Sequence, residues 1–304
     1  MRALITGVTG QDGYYLSELL KSKGYRVFGG YRRGSKFPDC FPDVDPVPIE
    51  MTEHESVRRA ITSCLVDEIY NLAAQSHVGE SFNCPVYTHD VNGAGPVRIL
   101  EVIRGTKVKL YQASTSEMFG DSPPPQNELT AFSPQSPYAA SKLYAHQMCN
   151  LYRKAYGVRV SCGILFNHES PRRGRDFVTR KITWNLAKKG RVTLGNLDAL
   201  RDWGHARDYM EAAWMMLQHT PGDFVIGTGE MRSVREFLGI ALKILGGEAK
   251  VDPALCRPAD VPALCADASR AREGLGWRPK TGFRELVEEM CRSDGNSPPL
   301  STST

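Results

Sequence analysis

Arg2-Ala3-Leu4-Ile5-Thr6-Gly7-Val8-Thr9-Gly10-Gln11-Asp12-Gly13-Tyr14-Tyr15-Leu16 opens the chain, and its reading decides the fold. Residues 2–6 form a short apolar run with the character of a buried strand. Gly7, Gly10 and Gly13 then recur at every third position, and Tyr15, Leu16, Leu19 and Leu20 continue at helical spacing. Strand, glycine turn and helix together bring backbone N–H groups against a pyrophosphate at a helix N-terminus. The G-x-x-G-x-x-G spacing is one residue wider than the usual dinucleotide fingerprint. A glycine triplet alone fits a plain tight turn. Its place between an N-terminal strand and an amphipathic helix points to cofactor binding.

Outward from this unit, strand and helix patterns alternate. Strands are expected at 25–30, 47–50, 68–74, 108–114 and 159–166, and helices at 53–63, 85–104 and 134–156. Such alternation specifies an α/β fold, a Rossmann-like doubly wound parallel sheet. After residue 166 the pattern becomes irregular. Residues 167–174 read as a polar loop, 176–189, 207–219 and 233–245 as helices, and 192–194 and 224–226 as short strands. The expected division is an NADP-binding Rossmann domain (1–166 with about 202–230) and a smaller mixed α/β substrate domain (167–201 and 231–292). Residues 293–304 are rich in Ser and Pro without a periodic apolar face and are expected to be a disordered tail.

The end of the second strand carries Tyr31, Arg32, Arg33, Gly34, Ser35 and Lys36. An NAD site wants an acidic residue there for the ribose 2′-hydroxyl. Two guanidiniums stand in its place, and guanidiniums suit a phosphate, so NADP(H) is favoured over NAD(H). The bland alternative is a solvated basic turn. Glu50 is expected near the adenine edge. His77, after the fourth strand, reads equally as a site residue or a structural cap.

A net charge of +4 over 304 residues gives no ground for nucleic-acid binding. No apolar run reaches membrane-spanning length, and the N-terminus has no signal-peptide shape. Eight cysteines without a C-x-x-C pair read as reduced thiols of a cytoplasmic protein. Seven histidines show no metal-ligand spacing, so no metal site is expected.

Ser114-Thr115-Ser116-Glu117 follows an apolar strand, at the carboxyl end where open α/β sheets place their ligands. Pro137-Tyr138-Ala139-Ala140-Ser141-Lys142 puts a phenol and an ammonium one helical turn apart. A lysine beside a phenol favours the phenolate, a usable base. Alone, the pair is more often a packed ring with a snorkelling stem. The glycine loop is what raises the catalytic reading.

Together, the glycine loop, Asn71-Leu72-Ala73-Ala74 and Tyr138-x-x-x-Lys142 resemble the extended short-chain dehydrogenase/reductase family. The likeness narrows to its GDP-mannose 4,6-dehydratase branch through Thr9 to Gly13, Arg32-Arg33, Ala74-Gln75-Ser76-His77 and Ser114-Thr115-Ser116-Glu117. Longer runs carry it further: Leu165-Phe166-Asn167-His168-Glu169-Ser170-Pro171-Arg172-Arg173-Gly174, Phe177 to Lys181, and Arg201-Asp202-Trp203-Gly204-His205. It spans roughly residues 1–292. The resemblance implies a hydro-lyase acting on GDP-mannose or a related nucleotide sugar, with internal hydride transfer through NADP. It implies catalytic roles for Thr115, Glu117, Tyr138 and Lys142. On the cofactor side it implies Gly7, Thr9, Gly10, Gln11, Asp12, Gly13, Arg32, Arg33, Glu50, Met51, Leu72, Ala73, Ala74, Gln75, His168 and Arg173, along with Tyr138 and Lys142. On the substrate side it implies Ser76, Thr115, Ser116, Glu117, Asn167, Lys181, Arg201 and Arg257.

Ser116 stands where related dehydratases of thymidine-linked glucose carry an acid, so a single carboxyl group, Glu117, would serve as both base and acid. Glu50 departs from the Asp usual in the family. The segments after Arg33 and before Arg257 are shorter than in relatives. Since the family's Arg33 loop helps tetramers form, either a homodimer or a homotetramer is expected. A reductase or epimerase on the same scaffold would need Tyr138 and Lys142 but not Glu117. A non-enzymatic NADP-binding protein would need none of the three.

Overall fold

The computed structural model describes residues 1–255 and 261–297. The chain runs β1 (Arg2–Thr6), α1 (Gln11–Ser22), β2 (Arg26–Arg32), β3 (Val44–Ile49), α2 (His54–Cys64), β4 (Glu68–Asn71), α3 (Pro85–His89), α4 (Gly95–Ile103), β5 (Lys109–Thr115), α5 (Pro137–Tyr156) and β6 (Arg159–Leu165). It continues through β7 (Asn167–Glu169), α6 (Val178–Lys189), β8 (Arg191–Leu194), β9 (Leu200–His205), α7 (Ala206–Gln218), β10 (Asp223–Ile226), β11 (Met231–Ser233), α8 (Val234–Leu245), β12 (Glu248–Val251) and α9 (Phe283–Asn296).

Seven strands make one sheet in the order β10-β6-β5-β4-β1-β2-β3, every neighbouring pair parallel. This is the doubly wound α/β architecture that the alternating pattern specifies. Helices cover both faces, so the strands are buried on both sides and read as apolar runs. The period of two still sorts the side chains. Ala3 and Ile5 face the core beneath α1 and α7, with Leu16, Leu20, Tyr209 and Met216. Leu4 faces the opposite core beneath α2, α4 and α5, with Val57, Ile61, Leu100 and Cys149. Pro46 and Pro48 are tolerated in β3 because it is the outermost strand.

The strand order reverses between β1 and β4, the switch point where such sheets open a crevice at their carboxyl ends. The backbone of Gly7 nests against residues 72–73 there. A Cβ at Gly7 would lie 2.8 Å from the Ala73 backbone, and its φ of +70° favours glycine.

Beyond the sheet, β11-β9-β7 and the pair β12-β8 form two small sheets. They share a third core with α6, α8 and α9 through Ile182, Leu186, Trp203, Phe237, Leu286 and Met290. Trp203 stacks on Phe283 with ring centroids 6.0 Å apart.

Three expectations need correction. The helix expected over 85–104 is split into α3, a π-helical turn at Asp90–Ala94, and α4. Pro96 cannot donate to the carbonyl of residue 92, and Gly93 and Gly95 lower local helix propensity. The polar loop at 167–174 begins as β7, which pairs with β9. No local signal marks a three-residue strand whose partner lies more than thirty residues away. The tail expected from residue 293 starts too early, because α9 continues to Asn296 and Asp294 is fully buried. Residues 298–304 lie outside the described residues.

Candidate active site

The switch-point crevice gathers most of the residues singled out from the sequence. Gly10 is the N-cap of α1 and no side chain caps it, so the first-turn N–H groups face outward. Gly13 lets α1 pack onto the turn, since a Cβ would fall 2.4 Å from the Val8 backbone. Uncapped amides above a turn that admits no side chain form a cradle suited to a pyrophosphate.

Asp12 and Gln11 tie this cradle to the start of β7. Asp12 Oδ2 meets His168 Nε2 at 2.9 Å, and His168 Nδ1 lies 2.8 Å from the Phe166 carbonyl. Gln11 Nε2 donates to the His168 carbonyl at 3.0 Å, and Ser170 Oγ donates to Gln11 Oε1 at 2.7 Å. Burial opposes charge on both members of the ion pair. The attraction outweighs it, holding Asp12 below the usual carboxylate range and His168 above the usual imidazole range.

Along the neighbouring strand ends, Leu72 N donates to the Thr6 carbonyl and Ala73 N to Thr6 Oγ1, both at 3.2 Å. Ala74 follows. The backbone of Gln75 is pinned by Asn92 of the π-helical turn, which accepts from its N–H at 2.9 Å and donates to its carbonyl at 2.8 Å. Gln75 Oε1 is buried without a partner. Asn92 was not singled out from sequence, and nothing local marks it. His77 does both things expected of it: it lines the cavity described below, and its Nδ1 accepts from Glu80 N at 3.0 Å.

Arg32 and Arg33 are exposed at the end of β2, with Arg33 Nη2 on Glu53 Oε1 at 2.5 Å. Glu50 leaves β3 with its N–H on Ser56 Oγ at 2.9 Å, and Met51 is buried beside it. Thr9 is exposed at the tip of the glycine turn.

A one-turn 3₁₀ helix (Ser116–Met118) ends β5. Thr115 caps it, Oγ1 accepting from Glu117 N at 3.3 Å, and this turns Glu117 towards a cavity of about 340 Å³. Asn167, Arg173, Lys181 and Arg201 line the same cavity, arriving from β7, the loop after it, α6 and β9. Asn167 Oδ1 is buried and unpartnered there. Arg173 lies 3.1 Å from Glu169 and over the Phe177 ring at 3.6 Å. Glu169, Asp176, Phe177 and Trp203 also line this space and were not singled out. Ser76 is exposed and Ser116 buried, and neither lines the cavity. Arg257 lies outside the described residues.

Tyr138 and Lys142 sit one turn apart on α5, both buried beneath the β5 end. Lys142 Nζ donates to the Ala113 carbonyl at 3.0 Å and lies 5.9 Å from the centre of the Tyr138 ring. The expectation that Lys142 lowers the phenol's pKa is not met here. Burial pushes Tyr138 up to about 12, with a hydrogen bond involving Thr115 working downward and the Glu117 charge upward. Burial likewise brings Lys142 down to about 8. The ammonium points at a carbonyl rather than at the phenol, and desolvation disfavours the charged form of both groups.

Elsewhere the fold brings together His146, Cys162 and Asp223, whose potential ligand atoms lie within 4.8 Å of one another. Spacing in the sequence gave no hint of this. The Asp223 carboxylate already receives Arg153 at 2.7 Å, so a cation stands there. The seven cysteines among the described residues are free thiols.

Comparison with known proteins agrees with this geometry. The chain is 49% identical to GDP-mannose 4,6 dehydratase 2 of Arabidopsis thaliana, over 96% of its own length and 86% of that protein's. It is 44% identical to the GDP-mannose 4,6-dehydratase of Vibrio cholerae serotype O1, covering 96% and 93%. Among solved structures, a UDP-glucose 4-epimerase complex with NAD from Thermus thermophilus superposes with a TM-score of 0.91 at 28% identity, covering 98% of this chain and all of that one. A family model described as GDP-mannose 4,6 dehydratase matches residues 4–290, and the chain belongs to that family.

Proposed function

We propose that the protein is an NADP-dependent hydro-lyase that converts GDP-mannose to GDP-4-keto-6-deoxymannose and water. The observation that carries this is the convergence of Glu117, Asn167, Lys181 and Arg201 on one cavity, with the charges of Glu117 and Arg173 acting on the buried Tyr138. The activity named for the relatives and the family membership support the same reading.

The nicotinamide, when bound, would accept the C4 hydride and give it back to C6 of the unsaturated ketone left by loss of water, with one proton taken up at C5 to match the one lost from the 4-hydroxyl. The glycine cradle, Leu72 to Gln75 and Lys142 would hold it, with His168 and Arg173 closing the far side. Arg32 and Arg33 favour a 2′-phosphate, and hence NADP over the NAD of the epimerase complex. Tyr138, as the phenolate, takes the proton of the sugar 4-hydroxyl, with Thr115 bonded to the same oxygen; a positively charged nicotinamide held there would offset the burial that raises the phenol's pKa in the cofactor-free protein. A ketone at C4 acidifies the C5 hydrogen. Glu117 removes that proton, and then, as the neutral acid, donates it to the departing C6 hydroxyl. One proton moves from C5 to the leaving oxygen, so a single carboxyl group suffices and Ser116 need not share the work. Asn167, Lys181 and Arg201 face the substrate's polar and anionic groups.

We assign the protein to the cytoplasm, as its free thiols suggest. We also assign it a homodimeric or homotetrameric state. Val86 and Tyr87 of α3 and Tyr144 and Leu151 of α5 are exposed apolar side chains on two adjoining helices, which supports association. Incubating the protein with GDP-mannose and catalytic NADP⁺ should yield a 4-keto sugar without net NADPH formation. Stoichiometric NADPH consumption with a keto sugar would instead mark a reductase, and C4 inversion an epimerase.

A further inference from the structure

Asp294 stands near the end of the described chain, in a stretch whose composition reads as solvent-exposed tail. The fold instead buries its carboxylate completely. Arg180 of α6 meets it with Nε at 2.8 and 3.0 Å and Nη2 at 2.7 Å, and Thr183 Oγ1 donates to it at 2.7 Å. The other arm of the same guanidinium, Nη1, donates to the carbonyls of Pro171 and Arg173, the latter at 3.2 Å.

Those carbonyls belong to the loop between β7, at the edge of the small three-stranded sheet, and α6. Its near end is fixed on α1 through Gln11, Asp12, His168 and Ser170. Its far end is fixed through Arg180 and the contacts of Arg173 itself with Glu169 and Phe177. Buried ion pairs contribute little net stability compared with apolar packing of the same volume. An apolar pair could fill this space, but it could not satisfy two carbonyls of a loop that has to remain polar. The guanidinium fork can, provided that a carboxylate fixes its plane.

We propose that Asp294 and Arg180 are positioning residues. Asp294 orients Arg180, and Arg180 holds the 171–173 backbone so that Arg173 faces the cofactor and substrate cavity. The functional part of this inference rests on the dehydratase reading given above. The positional part does not.

The test uses the full-length protein with Asp294→Asn, which keeps the shape and removes the charge, and Arg180→Lys, which keeps the charge and loses the fork. Three quantities are read below the unfolding temperature of each variant: amide exchange at 172–174, NADPH affinity, and the split between KM and kcat with GDP-mannose. Both variants should show faster exchange at 172–174 with unchanged exchange in β1 and β5. NADPH dissociation constants and KM should rise about tenfold or more while kcat changes little, because the lost contacts are made equally in ground and transition states. A folded variant with wild-type exchange at 172–174 overturns the clamp. Faster exchange with unchanged NADPH affinity and KM overturns its part in ligand binding. If Asp294→Asn does not fold, Arg180→Lys alone decides. Absence of turnover in the wild type would count against the dehydratase reading and leave the exchange result to decide the clamp.

Discussion

Replacing Lys142 by methionine should remove the proposed activity and stabilise the cofactor-free protein. The lysine is only 5% exposed, and burial brings its pKa from 10.5 down to about 8. That drop corresponds to a cost of about 3 kcal/mol for holding an ammonium in this place at neutral pH. Methionine fills nearly the same stem volume without the charge. It forfeits the hydrogen bond to the Ala113 carbonyl, worth about 1 kcal/mol. The carbonyl is not orphaned, because Gln112 Nε2 also donates to it at 3.0 Å. The expected net gain is about 2 kcal/mol. The sign with pH follows from linkage. Below 8 the lysine is protonated in both folded and unfolded chains, and the whole cost is present. Between about 8 and 10.5 only the unfolded chain holds the proton, so wild-type stability rises with pH relative to the variant. Urea unfolding of nucleotide-free wild type and Lys142→Met, at about pH 7 and about pH 10, gives the comparison, and other groups titrating in that range cancel in the difference. A variant clearly less stable than wild type at the lower pH, with no narrowing of the difference at the higher, would refute the reasoning. The lysine would then be a supporting member of the fold and not a group held there against its solvation.

Glu117→Gln should leave NADPH affinity unchanged and lower formation of the 4-keto sugar by about 10² to 10⁴; full turnover would remove Glu117 from the chemistry. Arg33→Ala should weaken NADPH by about tenfold or more and NADH far less, as titrated by nicotinamide fluorescence. Equal losses would return Arg33 to the role of a surface charge paired with Glu53. Asp12→Asn breaks the half-buried pair with His168 and should cost about 2 kcal/mol near pH 6. Its share of stability is present above the usual carboxylate pKa and is lost as pH falls through Asp12's lowered value. It is also lost as pH rises through the raised value of His168. A flat difference between wild type and variant from acid to mildly alkaline pH would contradict that window. Gly7→Ala should leave the protein poorly folded or unable to bind NADPH, since its Cβ meets the Ala73 backbone and its φ is positive. Wild-type thermal stability and NADPH affinity together would contradict it.

The architecture and the shortlist of candidate groups were legible in the sequence. Both are written in local pattern: apolar runs of strand length, glycines at every third position before an amphipathic helix, and Tyr138 and Lys142 four residues apart. Backbone geometry turns each of these into structure without reference to the rest of the chain. The tertiary structure decided what distance and burial decide. It joined Asp12 to His168 and Asp294 to Arg180 across more than a hundred residues, and it used Asn92 to set the backbone of Gln75. It also buried Tyr138 so far that desolvation raises its pKa, where the spacing from Lys142 alone leads to the opposite expectation. A one-turn separation on a helix puts two side chains on the same face. Which neighbour the ammonium bonds, and how much water the phenol loses, depends on the strands packed above them, and no local spacing encodes that.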